Sequence, residues 1–261
     1  RERGYHGMNI GATTVGGMIN NVKTFASILM PGVQHMRHTH LAEHKFVKGQ
    51  PETGVEMAED LERIAMNFGG ENIAACIVEP IAGSTGTLVP PKGYLKRIRE
   101  ICNKHGILLI FDEVITGWGR TGSAFASQEF DVTPDMITMA KATTNGVIPM
   151  GVVAVKEEMY DAVLDSSSTN PEGTPELFHG YTYSGIPAAV AAGLAVQDIF
   201  DKEDIFKRAK EMSPYFQDGL QSLKDLKEVV SIRGYGMMGG IEINMKEKPG
   251  KAGYQVFKHC Y

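Results

Sequence analysis

Asp112 and Lys141 each stand where an apolar run gives way to a charged residue. Ile107–Phe111 (ILLIF) runs into Asp112 and Glu113, and Met136–Ala140 (MITMA) runs into Lys141. Both runs have the length and branching of strands buried on two faces. In an open α/β sheet the carboxyl ends of the strands form the ligand crevice. An acid and a lysine delivered to that edge from two strands predict one bound molecule between them.

Pyridoxal 5′-phosphate requires both groups. It needs a lysine amine to condense with its aldehyde, and a carboxylate against its pyridine nitrogen to keep the ring protonated and able to accept electrons. Asp112 and Lys141 fit those two roles. From spacing alone a second reading stands beside it, with Asp112 capping a turn and Lys141 a solvated strand-end cation.

The motif around these residues narrows the choice. FDEVITGWGRTG (Phe111–Gly122), followed by PDMITMAKATTNGVIPMG (Pro134–Gly151), resembles the class-III aminotransferases, pyridoxal-phosphate enzymes of fold type I. The pattern is nearest to the β-alanine–pyruvate (omega-amino acid–pyruvate) branch. The resemblance runs over nearly the whole chain and implies an α/β fold: a mostly parallel sheet with helices on both faces, then the start of a smaller α/β domain.

The resemblance also implies roles. Asp112 meets the ring nitrogen, Val114 packs on the ring, and Lys141 carries the cofactor and acts as catalytic base. Tyr5, in YHG, stacks on the ring, and Glu79 joins the cofactor-binding residues. Thr182, in Y-T-Y-S-G, reaches the phosphate of the neighbouring subunit, so a homodimer is expected. The reaction implied moves an amino group from an omega-amino acid or amine to pyruvate. Another donor, or 2-oxoglutarate as acceptor, is the alternative.

Departures bear on the substrate. Where the γ-aminobutyrate and ornithine branch carries a glutamate five residues after the EP glutamate, this chain has Ser84, and it has Ile115 in place of a glutamine. Both favour pyruvate. Ile186 stands where the pyruvate branch usually has histidine, and Ala142 where glycine is common; neither is a group that does chemistry. The family's phosphate loop would lie upstream of Arg1 and its substrate-carboxylate arginine downstream of Tyr261. The chain therefore reads as an internal piece, inactive or nearly so alone.

Composition is that of a soluble globular protein: 43% hydrophobic, 22% charged, net charge −5. No basic block or long apolar span points to nucleic acid or a membrane. Cys76, Cys102 and Cys260 lack metal-type spacing and read as free thiols in a reducing cytoplasm.

Two decoys need weighing. Gly117–Gly122 (GWGRTG) matches the dinucleotide fingerprint, the basis of a distant alternative as a nicotinamide-dependent oxidoreductase. That fingerprint needs its first glycine directly after the strand, and DEVIT intervenes here. His35, His38, His40 and His44 suggest a metal, yet no cysteine or paired carboxylate lies at ligand spacing, so no metal site is expected.

The positioning elements follow from periodicity. Arg1–Gly17 is expected as a short strand end and a loop. A helix is expected over Glu52–Phe68 and a strand over Ile73–Val78. Pro91 should open a second helix that Gly106 stops, ahead of the strand at Ile107. Helix, strand, helix, strand is the signature of parallel layering. Gly151–Val155 reads as a further strand and Asp165–Thr174 as a surface loop. The helix from Pro187 to Phe200 is apolar all round and should be buried. Ile205–Leu223 reads as an amphipathic helix, followed by strands at Val229–Ile232 and Met238–Ile243. The domain boundary is expected near Asp201–Glu203, giving a cofactor-binding domain over 1–200 and the start of a smaller one over 201–261.

Overall fold

The computed structural model describes all residues except 167–176, 178, 245–249 and 261. The loop expected at Asp165–Thr174 therefore lies, from 167 on, outside the described residues.

A four-stranded sheet carries the site, in the order β1 (Ala75–Val78), β2 (Leu108–Asp112), β3 (Met136–Met139), β4 (Val152–Val155). β1, β2 and β3 are parallel, and β4 returns antiparallel to β3. Helices α1 (Ile10–Val15), α2 (Ile19–Phe25), α3 (Glu59–Phe68), α4 (Tyr94–His105), α5 (Ala126–Glu129) and α6 (Glu157–Ser166) precede, separate or follow these strands in the chain. Then come α7 (Pro187–Lys202) and α8 (Ile205–Gln221), the antiparallel pair β5 (Val229–Tyr235) and β6 (Met238–Ile243), and α9 (Lys251–Cys260).

α4 packs on both α3 and β2. The core is built from Leu61, Ile64 and Ala65 of α3, Ile98, Ile101 and Cys102 of α4, and Val78, Leu109 and Phe111 of the strands. Cys76 and Cys102 are both buried here as free thiols. Asp135 staples β2 to β3: its Oδ2 accepts the Leu109 N–H at 2.7 Å and Arg99 at 2.7 Å, and Oδ1 accepts Lys156 at 2.8 Å. Burial alone would raise this carboxyl; the Leu109 amide, Lys156 and Arg99 overcome that and hold it at about 2.

Four expectations need correcting. Arg1–Gly17 contains a helix, α1, in place of a strand end, because the Asn9 side chain accepts the Ala12 N–H at 2.7 Å and caps it. The helix expected from Glu52 starts later. Gly54 has a left-handed backbone (φ 107), a 3₁₀ turn covers Val55–Ala58, and α3 proper begins at Glu59. Pro91 does not open α4; Gly93, left-handed at φ 79, forms the entry, and Tyr94 N–H bonds to Pro91 O. α7 is not buried all round. Ala189, Gly193 and Val196 are covered, while Leu194 is 64% and Ile199 47% exposed.

Candidate active site

Strand alternation separates the two acids at the end of β2. Glu113 turns into the interior, where it accepts the Ala126 and Ser127 N–H groups (2.6 and 2.8 Å) and the Thr116 hydroxyl. Burial pushes its carboxyl above the ordinary range. Asp112 faces a cavity. Its Oδ1 accepts the Val114 N–H at 3.1 Å, and its Oδ2 lies 2.8 Å from His6 Nδ1. The His6 side chain is 3% exposed, and among the described residues its Nε2 has no partner.

Glu79, past the end of β1, ties the first residues to this edge. Its Oε1 accepts the Tyr5 N–H at 2.9 Å, its Oε2 the Gly83 N–H at 2.8 Å, and its carbonyl accepts Arg1 Nη2. Burial raises its carboxyl, with the Tyr5 and Gly83 amides pulling the other way. These bonds hold Tyr5 and His6 beside Asp112.

Lys141 follows β3 on a 3₁₀ turn, Lys141–Thr143, with a left-handed backbone (φ 46). Its carbonyl accepts the Thr144 and Gly146 N–H groups. The side chain is exposed, and among the described residues its amine has no hydrogen-bond or ion-pair partner. A cavity of about 150 Å³ lies between Lys141, Asp112, Val114, Tyr5, His6 and Glu79. It adjoins a wider cleft of about 710 Å³ that shares Lys141, Val114 and Ile115 and is also lined by Ser84, Arg120 and Asn145.

The structure thus brings together Tyr5, Glu79, Asp112, Val114 and Lys141. Thr182 stands apart, on an exposed turn just before α7, and does not line the cavity. His6 was missed. Its one sequence signal was adjacency to Tyr5, and its partner is 106 residues away. Gly117–Gly122 does not form a strand–turn–helix anion site: Trp118 N–H bonds to Ala124 O, Gly122 N–H to Gly119 O, and α5 opens only at Ala126. The histidine stretch serves the backbone. His44 is buried between the Leu41 N–H and Thr53 O, and His35 Nε2 lies 2.8 Å from Gly16 O.

Among the described residues no helix is long and apolar enough to cross a membrane. The family description "Aminotransferase class-III" matches residues 1–258. The omega-aminotransferase of Caulobacter vibrioides is 50% identical over 263 residues, covering all of this chain and 59% of that protein. The omega-amino acid–pyruvate aminotransferase of Pseudomonas putida is 46% identical, covering 99% of this chain and 58% of that one. The chain therefore spans less than two thirds of these relatives' length. Among solved structures, the omega transaminase from Pseudomonas jessenii in complex with PMP superposes with a TM-score of 0.85 at 33% identity, covering 93% of this chain and 53% of that one. With its fold and the edge bearing Asp112 and Lys141 both accounted for, the chain belongs to the class-III aminotransferase family.

Proposed function

We propose that this chain forms the cofactor-binding core of a pyridoxal-phosphate transaminase that moves an amino group from an omega-amino acid or amine to pyruvate. One observation carries the reading: a buried carboxylate and a lysine amine without a partner among the described residues line the same 150 Å³ cavity. The donor set fits the cofactor. Asp112 is fixed by two partners, His6 and the Val114 N–H, and Lys141 Nζ is free to form a covalent bond.

When bound, pyridoxal 5′-phosphate supplies an aldehyde that condenses with amines and a ring that spreads the charge left by proton removal. Asp112 Oδ would hold the proton of the ring nitrogen, with His6 holding Asp112 in place. Lys141 Nζ would hold the cofactor through its aldehyde and would serve as the base for the proton beside the substrate nitrogen. Val114 and Tyr5 would pack against the ring, and Glu79, which accepts the Tyr5 N–H, keeps Tyr5 at that edge.

Pyruvate as acceptor is supported by the name of the Pseudomonas putida relative and by Ser84 and Ile115 on the wide cleft, neither of which carries a charge to set against an arginine. We read the assembly as a homodimer in which Thr182 serves the partner's phosphate; the uncovered apolar side of α7 and the exposed Tyr181 and Tyr183 support it. We place the start of a smaller domain near Asp201–Glu203. α7 ends at Lys202, Asp204 breaks the backbone at φ 48, and β5–β6 form a sheet of their own. The free cysteines suit a cytoplasmic setting.

The test uses the full-length protein with β-alanine and pyruvate. Wild type should carry a visible absorbance band from bound cofactor and form alanine, and Lys141→Ala should lose both. A variant that keeps band and turnover, or a wild type stabilised against heat by NAD alone, overturns the reading.

A further inference from the structure

Trp118, the one tryptophan of the chain, has a left-handed backbone at φ 63, a conformation bulky side chains rarely adopt. Its indole is clamped. The ring centroids of Phe125 and Phe200 lie 4.9 and 5.7 Å away, and Phe200 stacks at an interplanar angle of 24°. Phe200 belongs to α7, and it meets Phe206 of α8 at 5.2 Å. The clamp fixes where the indole N–H points: Nε1 donates to Thr143 Oγ1 at 3.0 Å.

Thr143 is buried, and its hydroxyl donates in turn to Ala140 O at 3.0 Å. The same carbonyl accepts the Thr143 N–H at 3.0 Å. Ala140 and Thr143 bracket Lys141, so this double bond to one carbonyl closes the turn on which the lysine stands. A non-glycine residue keeps a left-handed backbone only where its surroundings over-determine it, and Lys141 sits at φ 46.

We propose that Trp118 is a positioning residue for Lys141: its indole N–H, acting through Thr143, fixes the direction in which the lysine leaves the backbone, and its stack on Phe200 ties that turn to α7. The proposal rests on the reading of Lys141 as the cofactor-binding amine. A ring that merely filled space would do as well without its N–H.

Trp118→Phe removes the N–H and keeps a ring between Phe125 and Phe200. Thr143→Val removes the hydroxyl at constant shape, and Thr143→Ser keeps it. The first readout is amide hydrogen exchange at Thr144 and Gly146 in cofactor-free, full-length protein. Loss of the Trp118–Thr143 hydrogen bond should speed exchange about three- to tenfold in Trp118→Phe, and Thr143→Val, which also loses the hydroxyl's bond to Ala140 O, should be at least as fast. Thr143→Ser should retain protection, and the double variant Trp118→Phe/Thr143→Val should be no faster than Thr143→Val alone. In the loaded enzyme kcat should fall by a similar factor, with KM for pyruvate within twofold. Exchange within twofold of wild type in both Trp118→Phe and Thr143→Val overturns the proposal, whatever the activity. A wild type that takes up no cofactor overturns the functional reading instead, and exchange in the cofactor-free protein still decides this one.

Discussion

His6 Nδ1 and Asp112 Oδ2 lie 2.8 Å apart, both side chains almost fully enclosed. The imidazole is thus a buried support for the Asp112 carboxylate that faces the cavity. Hydrogen bonds to charged groups contribute about 1.5–3 kcal/mol, so His6→Ala should weaken cofactor retention about ten- to a hundredfold. His6→Asn, which can place an amide donor near the Nδ1 position, should recover part of it. Equilibrium dialysis of the full-length protein measures both. Unchanged retention in His6→Ala would mean that Asp112 needs no such support.

Glu79 makes stability depend on pH in a stated direction. Burial raises its carboxyl above the ordinary 4.5, so the folded chain keeps this proton to higher pH than the unfolded chain does. Where the unfolded state binds fewer protons, stability falls as pH rises. The contribution is fully present below 4.5 and is lost as pH passes the raised folded value. Urea midpoints of the cofactor-free protein, taken from pH 4.5 to 7, should drop relative to those of Glu79→Gln. Parallel curves would refute the assignment.

Gly236, at the β5–β6 turn, has φ 59, and a Cβ there would come within 2.3 Å of Arg120 O. That carbonyl accepts the Met237 N–H at 2.8 Å, so the turn is pressed against the GWGRTG segment by backbone on backbone. Neither side can yield by rotating a side chain. Gly236→Ala should destabilise the fold by about 2 kcal/mol or more, read as a lower urea midpoint at unchanged slope. A midpoint at the wild-type value would show that the contact relaxes freely.

Leu194 tests the assembly. It projects from α7 at 64% exposure, with Val190 at 38% and Ile199 at 47% on the same helix. If a second copy covers this side, Leu194→Asp buries a charge in an apolar contact, and burial without a partner is costly. Sedimentation velocity should show the dimer of the full-length protein replaced by monomer. A variant that sediments like wild type would place the contact elsewhere.

The strands that carry Asp112 and Lys141 were legible because a strand covered on both faces is rich in apolar, branched residues, and ILLIF and, Thr138 apart, MITMA are. The fate of the paired acids was not: Asp112 and Glu113 look alike in sequence, and only the pleat sends one to the cavity and the other to the Ala126 and Ser127 amides. α1 escaped notice because Gly11, Thr13, Thr14 and Val15 are weak helix formers, while its capping residue, Asn9, was in plain view. Pro91 looked like a helix start, yet the left-handed Gly93 decides where α4 begins. The His6–Asp112 pair joins residues too distant for any local pattern to reveal. α7 was misjudged for a different reason: an all-apolar helix says that something covers it, without saying that this chain does.

The reversal of one strand sets the order in which the site comes together. β4 runs antiparallel to β3, and Met139 pairs with Val152 across the loop that carries Lys141. β2, which carries Asp112, finds its neighbours only over long crossovers, Val78 opposite Phe111 on one side and Thr138 opposite Asp112 on the other. Short loops cost less chain entropy to close than long ones, and local pairings form sooner. The strand pair that flanks Lys141 is therefore expected to form early, as a hairpin-like unit, and Asp112 to take its place with the rest of the sheet. A chain arrested between those two stages would display the amine with no acid to work against, and cofactor offered at that moment would meet half a site.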